Sequence, residues 1–224
     1  MLYMLASPIG NLDDITYRAV KILAEVDLVA CEDTRHTIKL LNRYNIKKPL
    51  FSCHGYNEGK SADKMIKELK DGKKIAYVSD AGTPGLSDPG ALLAERVREE
   101  GFAVIPVPGP SAAAAILSVS GYKGKTVTFE GFLSPKQGRR KRRLSELLQR
   151  DEAFLLYESP FRIIKLLNDL MGFDAERRIF IGREMTKMHE EYLCGTAKEL
   201  MDILEGKRVI KGEFSALVFP CKKR

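Results

Sequence analysis

The chain lacks the spacings that organise a metal site or a disulfide scaffold. Its four cysteines, Cys31, Cys53, Cys194 and Cys221, lie far apart and form no CxxC pair. A disulfide framework and a structural zinc are therefore not expected, and reduced thiols are. Cys31 and Cys221 fall in apolar runs and read as small buried hydrophobes. The three histidines, His36, His54 and His189, share no ligand spacing, and HExxH is missing, so no metal is expected. No apolar run approaches the ~18 residues that a membrane-spanning helix needs. Met1 to Pro8 has neither the basic start nor the long apolar stretch of a signal peptide; it reads as a first buried strand. A cytoplasmic protein with no membrane partner is the expectation. There is no internal repeat. Pro8 and Gly10 occupy a first βα turn without the GxGxxG spacing, which argues against a dinucleotide site.

What is present begins with charge. The 224 residues are 44% hydrophobic and 30% charged, enough for one large or two small cores. The formal net charge is +7, and the excess is local. Lys136-Gln137-Gly138-Arg139-Arg140-Lys141-Arg142-Arg143 holds six basic residues in eight, and the tail Lys222-Lys223-Arg224 adds three. Neighbouring like charges repel, so folding alone does not favour such a run. A polyanion does, and nucleic acid is the commonest one. The plainer alternative is a solvated helix start.

Strand-like apolar runs at 2–6, 27–31, 74–79, 103–107, 126–132, 153–157, 178–183 and 213–219 alternate with helical periodicity. One helix spans Ile15 to Val26, with Ile15, Ala19, Ile22, Leu23 and Val26 on one face. A second spans Thr34 to Tyr44 with Ile38, Leu41 and Tyr44 inward, and a third starts at Ser61 with Met65, Ile66 and Leu69 inward. Ser111 reads as the N-cap of a small-residue helix, Ala112 to Val119. The fold class is α/β: a mostly parallel, helix-flanked sheet in a first domain, 1–120. The polar stretch Ser120 to Lys125 reads as a linker to an α+β second domain, 121–224, with a mixed sheet.

The densest signal is Val78-Ser79-Asp80-Ala81-Gly82-Thr83-Pro84-Gly85-Leu86-Ser87-Asp88-Pro89-Gly90, between a strand-like and a helix-like run. Such a connection at the carboxyl end of a strand is where α/β proteins hold ligands. Its glycines allow close backbone approach, and its prolines stiffen the shape. Glu32, Asp33 and Arg35 follow another strand and fall at the same sheet edge, although capping of the next helix would also explain Asp33.

Seven segments in order resemble one family. They are Ser7-Pro8-Ile9-Gly10-Asn11-Leu12-Asp13-Asp14-Ile15-Thr16, Glu32-Asp33-Thr34-Arg35-His36-Thr37, the glycine-rich loop, Pro108-Gly109-Pro110-Ser111-Ala112, Phe129-Glu130-Gly131-Phe132-Leu133, Tyr157-Glu158-Ser159-Pro160 with Arg162, and Arg183-Glu184-Met185-Thr186-Lys187 with His189-Glu190. The chain thus resembles the small-subunit ribosomal RNA methyltransferase I family, within the tetrapyrrole-methylase-like (class III) methyltransferases. The resemblance implies a two-domain protein that binds S-adenosylmethionine between its domains, and a homodimer. It implies methyl transfer to the 2′-hydroxyl of a cytidine in the decoding region of 16S ribosomal RNA, on naked RNA or the assembled 30S subunit.

Under that resemblance, Asp80, Ala81 and Gly82, with Pro8, Gly10, Ser111 and Ala112, are expected to hold the donor. Tyr157 and Glu158 are expected to flank its adenosine. Glu32, Asp33, Arg35, His54 and Lys187 are the catalytic candidates, with Asn57 and Glu58 beside His54. Lys136, Arg139, Arg140, Lys141, Arg142 and Arg143 are expected on RNA phosphates. Tyr56 and Phe132 are possible stacking groups, with core packing the stronger expectation for Phe132. The family's Ser-Tyr-His-Glu-His-Asn-Glu reads Ser52-Cys53-His54-Gly55-Tyr56-Asn57-Glu58 here, with Tyr56 in place of a histidine. Longer relatives carry an extra carboxyl-terminal domain, so RNA affinity is expected to rest on the basic segment.

Overall fold

The computed structural model describes residues 1–55, 58–207 and 209–221. The expectations for Tyr56, Asn57 and the Lys222–Arg224 tail lie outside the described residues. The chain forms two compact units, Met1–Ser111 and Ala112–Arg224.

The first unit runs β1 (Leu2–Leu5), α1 (Tyr17–Glu25), β2 (Leu28–Cys31), α2 (Thr34–Arg43), β3 (Leu50–Ser52), α3 (Glu58–Lys70), β4 (Ile75–Val78), α4 (Ala91–Glu99) and β5 (Val104–Val107). The sheet order is β3-β2-β4-β1-β5, and every pairing is parallel. All five strands therefore end on one edge. From β1 the chain steps one way to β2 and β3, then returns through β4 and leaves past β1 to β5. Neighbours β1 and β4 thus mark the topological switch point, where open α/β sheets leave a crevice.

Burial on both faces explains the apolar strands. Leu5, Val29, Cys31, Ala76 and Val78 pack against α1 and α2 residues such as Leu23 and Leu41. Leu2, Ala30, Ile75 and Tyr77 pack against Met65, Leu69, Leu93 and Val97. Helix α1 starts at Tyr17, because the Thr16 hydroxyl caps it by accepting from Ala19 N. The inward face of α2 differs from expectation. Thr37, Leu40 and Leu41 are buried and Ile38 is exposed, because the Asp33 cap sets the helical phase. Helix α3 begins at Glu58 and not at Ser61, whose buried hydroxyl donates to Ser52 O. The short parallel strand β3 was not expected.

The second unit runs α5 (Ala112–Val119), β6 (Val127–Phe132), α6 (Gln137–Gln149), β7 (Ala153–Glu158), α7 (Ile163–Phe173), β8 (Arg178–Arg183), β9 (Glu191–Thr196), α8 (Ala197–Glu205) and β10 (Phe214–Val218). Its sheet is mixed, as expected, in the order β6-β7-β10-β8-β9. Only β6 and β7 pair in parallel. Leu144 and Leu147 of α6, Leu166 and Leu170 of α7, and Leu200 and Leu204 of α8 cover one face of it. The division falls after Ser111 rather than at 120 because α5 packs on β10. Strand β9, with Glu191, Gly195 and Thr196 in it, was also unexpected. All four cysteines are free. Cys31 is buried as expected, whereas Cys221 is exposed beyond the end of β10.

Candidate active site and RNA-facing helix

The carboxyl edge of the first sheet is built by turns that bind one another. Ser7 and Gly82 exchange backbone bonds, Ser7 N to Gly82 O at 2.9 Å and Gly82 N to Ser7 O at 3.0 Å. The buried Ser7 hydroxyl donates to Ser79 O at 3.0 Å, and the Ser79 hydroxyl donates to Gly82 O at 3.1 Å. Thr83 Oγ1 donates to Pro110 O at 3.3 Å, tying the loop to the turn after β5. The glycine-rich loop is therefore laced across the switch point, with Pro8 buried beneath it and Asp80 and Ala81 exposed. Glycine is required at Gly90, where φ is +127° and a Cβ would stand 3.0 Å from both Met4 Cε and Tyr77 Cε1.

A second lacing joins β2 to β4. Glu32 Oε1 accepts from Asp80 N at 3.1 Å, and Asp80 Oδ1 accepts from Asp33 N at 3.0 Å. Each carboxylate thus holds the other strand's turn. Asp33 has the capping role that its position allowed. It accepts from Arg35 N at 2.8 Å and grips the Arg35 guanidinium, which holds its carboxyl down at about 2. Arg35 itself is exposed. Half-buried His54 lies just past β3 on the same edge. Glu58 is a structural cap: its Oε1 accepts from Gly90 N at 2.9 Å and Leu93 N at 3.1 Å at the start of α4. That use of Glu58, and the Ser7 and Ser79 lacing, were missed from sequence because each partner lies far away along the chain.

Glu32 differs from its neighbours. Burial raises its carboxyl first, the bond from Asp80 N opposes that, and the charges of Asp88, Asp80 and Glu58 raise it further, to about 7. A carboxyl poised near neutrality can exchange a proton at working pH. The edge as a whole is acidic, with Glu32, Asp33, Asp80, Asp88 and Glu58 gathered on it. It suits a cationic ligand and would repel the pyrophosphate of a dinucleotide. A sulfonium donor with an ammonium group fits that chemistry, and Gly82 (φ +80°) lets the backbone approach it closely.

The second unit's candidates are engaged differently. Glu158 is 2% exposed, accepting from Ser159 N at 2.8 Å and Arg162 Nε at 2.7 Å. Tyr157 stands edge-on to Phe129 and Phe132, at 5.2 and 5.7 Å between centroids. Phe132 is 56% exposed, so the expectation of core packing is corrected. A bulge between Phe129 and Gly131 shifts the register and brings both phenylalanines to the same face as Tyr157. Lys187 bridges Glu184 and Glu213, at 2.9 Å each. Burial alone would lower its ammonium, but the two carboxylates outweigh that and keep it above the ordinary lysine value. It is a fixed cation and not a base.

Helix α6 sorts the basic cluster into two faces. Arg140 is 5% exposed, its Nε on Asp169 Oδ2 at 2.7 Å and an Nη on Pro135 O at 3.3 Å. Its guanidinium is buried on Asp169, so the expected phosphate contact is corrected for Arg140. Arg143 is forked onto Glu130 at 2.8 and 2.7 Å and reaches Glu146 at 2.9 Å. Lys141 is exposed with its Nζ 3.6 Å from Asp169. Lys136, Arg139 and Arg142 are exposed, three residues apart along one face. The first turn of α6 carries no acidic residue, so cations crowd the positive end of the helix dipole. Folding gains nothing from the exposed Lys136, Arg139 and Arg142, whereas a bound polyanion would.

A parallel sheet with a laced glycine-rich turn at its switch point, followed by a mixed-sheet unit, defines the class. The chain belongs to the tetrapyrrole (corrin/porphyrin) methylases, whose family model matches residues 1–201. Among its relatives, ribosomal RNA small subunit methyltransferase I of Borrelia garinii subsp. bavariensis is 48% identical, covering 97% of this chain and 98% of that protein. The protein of the same name from Thermotoga maritima is 45% identical over 97% of each chain. The solved cobalt precorrin-4 methyltransferase, a cobalamin biosynthetic enzyme, superposes with a TM-score of 0.71 at 19% identity, over 97% of this chain and 94% of that one. The last likeness shows the fold, which does not by itself set the substrate. The resemblance carried by the seven segments is borne out. Among the described residues no helix is long and apolar enough to cross a membrane.

Proposed function

We propose that this chain transfers a methyl group from S-adenosylmethionine to the ribose 2′-hydroxyl of a cytidine in the decoding region of 16S ribosomal RNA, in the cytoplasm and as a homodimer. The observation that carries the RNA reading is the exposed stripe Lys136, Arg139 and Arg142, for which a small-molecule methylase has no use. Near-full-length similarity to proteins named for small-subunit ribosomal RNA supports it.

When bound, S-adenosylmethionine supplies a methyl group already activated on a cationic sulfur. The chain's own task is alignment and proton removal, and alignment contributes on the order of 7–11 kcal/mol to such reactions. Asp80, Ala81 and Gly82 hold the donor's amino-acid portion, supported by the turns of Pro8, Gly10, Ser111 and Ala112. Asp33 keeps α2 and Arg35 in place. Glu32 takes the proton of the acceptor hydroxyl, because its raised pKa matches neutral pH. His54 orients that hydroxyl. Lys187, clamped between Glu184 and Glu213, holds its loop in place; Tyr157 is a ring for the adenosine, and Glu158 has no direct role, being committed to Arg162.

Labelled S-adenosylmethionine incubated with the protein and small-subunit RNA or 30S particles tests the reading. Label mapped to one cytidine ribose is expected; label on a corrin or porphyrin, or none on RNA, overturns it. Asp80→Ala removes a carboxylate and loosens the Asp33 turn. It is expected to weaken donor binding about tenfold or more by calorimetry. Unchanged affinity would remove Asp80 from the site.

A further inference from the structure

The second sheet carries a row of exposed apolar side chains along one edge. Phe132 pairs with Tyr157, Glu158 with Phe214, and Phe214 with Arg183, so β6, β7 and β8 all end there. Phe132 closes β6. Phe161 lies just past β7 and is 86% exposed, and Met188 lies just past β8 and is 93% exposed.

Both outer tips stand on pinned turns. Ser159 O accepts from Arg162 N and Ile163 N, both at 3.1 Å, while Arg162 grips buried Glu158. Around Met188, Lys187 N donates to Glu184 O at 3.0 Å, Glu190 N donates to Lys187 O at 3.1 Å, and Thr186 N donates to the Glu190 carboxylate. Glu184 and Thr186 hold left-handed φ values of +50° and +65°, which side chains rarely adopt and a β-branched residue hardly ever. Gly212 makes room for this loop, since a Cβ there would lie 2.3 Å from Glu184 Cγ. The turn's backbone is held in place, and it presents Met188 to solvent. A turn already ordered before binding adds no backbone ordering cost.

The neighbouring charge identifies the occupant. Lys136 and Arg139 open α6 four and seven residues after Phe132, on the same sheet edge. Glu213, nearer β8, is held by Lys187, so the open positive charge lies on the β6 side. Exposed rings beside fixed cations suit single-stranded nucleic acid, whose bases stack while its phosphates pair. Methionine's polarisable thioether makes favourable contacts with aromatic rings. We propose that Phe132, Phe161 and Met188 form a stacking platform for unpaired bases of the RNA substrate, with Lys136 and Arg139 holding the adjoining phosphates. The proposal rests on the RNA reading above and adds that the substrate is engaged through unpaired bases.

Fluorescence anisotropy with two RNAs of equal length and charge, one unpaired and one a closed hairpin, tests it. The Phe161→Ser/Met188→Ser protein is expected to lose about tenfold or more in affinity for the unpaired RNA. Its hairpin affinity and salt slope should match the parent's, and its circular dichroism should be unchanged. Phe161→Trp, which keeps a stacking face, should retain binding. Equal losses on both RNAs, or no loss on the unpaired one, overturn the platform. If RNA affinity holds while sedimentation shows a dimer becoming a monomer, the row is a self-association face and the proposal is wrong. If the parent protein binds neither RNA in a salt-dependent way, the RNA reading itself fails; if it binds normally and only the variant result disappoints, that reading stands.

Discussion

Glu32→Gln is expected to lower methyl transfer about 10²- to 10⁴-fold while making the protein more stable at pH 8. The two effects share a cause. The Glu32 carboxyl is raised from 4.5 to about 7 by burial and by Asp88, Asp80 and Glu58. Between those values the folded chain holds a proton that the unfolded chain has released. Stability therefore falls as pH rises through that window, and the full penalty is present above about 7. The gap corresponds to about 3 kcal/mol at most, reduced by the solvent that reaches a half-buried group. Glutamine keeps an oxygen to accept from Asp80 N, so the β2–β4 lacing survives and only the charge is lost. Thermal unfolding should show the variant ahead of the parent at pH 8 and level with it at pH 5. The parent's rate should rise with pH to a plateau through about 7, a limb the variant lacks. A variant as fast as its parent would exclude Glu32 as the base. An equal stability gap at both pH values would exclude the shared proton.

Sequence reasoning reached the glycine-rich loop because its instructions are local. Glycine tolerates positive φ and proline limits it, so the turn before α4 could be read without its partners. The α/β class was legible for the same reason: buried strands such as Ile75–Val78 are apolar on both faces. Strand β3 was not legible, because three residues are too few to show a period. The phase of α2 depended on which residue capped it. Glu32's proton was beyond reach, since it depends first on burial and then on Asp88 and Asp80 arriving from about fifty residues away. The basic cluster was misread for a subtler reason. Leu144 and Leu147 lie four and seven residues after Arg140, which sets Arg140 on the buried face of α6. Its partner Asp169 is on another helix and leaves no local signal.

Arg140 and its neighbours should consequently separate stability from RNA binding. Arg140→Met leaves Asp169 buried with only Lys141 Nζ, at 3.6 Å, to meet its charge. A loss of about 3–5 kcal/mol is expected in denaturant unfolding, as for other broken buried pairs. Arg140→Met with Asp169→Leu removes both charges and should recover most of that loss, because each ion had to be stripped of water to form the pair. Arg139→Gln/Arg142→Gln changes only exposed side chains and should leave stability within about 0.5 kcal/mol. That variant loses two phosphate contacts, and its slope of log affinity against log salt should flatten by about 1.5. The two sets of arginines then give opposite readouts from one stretch of sequence. Should Arg140→Met unfold no more easily and flatten the salt slope instead, Arg140 reaches the RNA and the buried pair with Asp169 does not hold in solution.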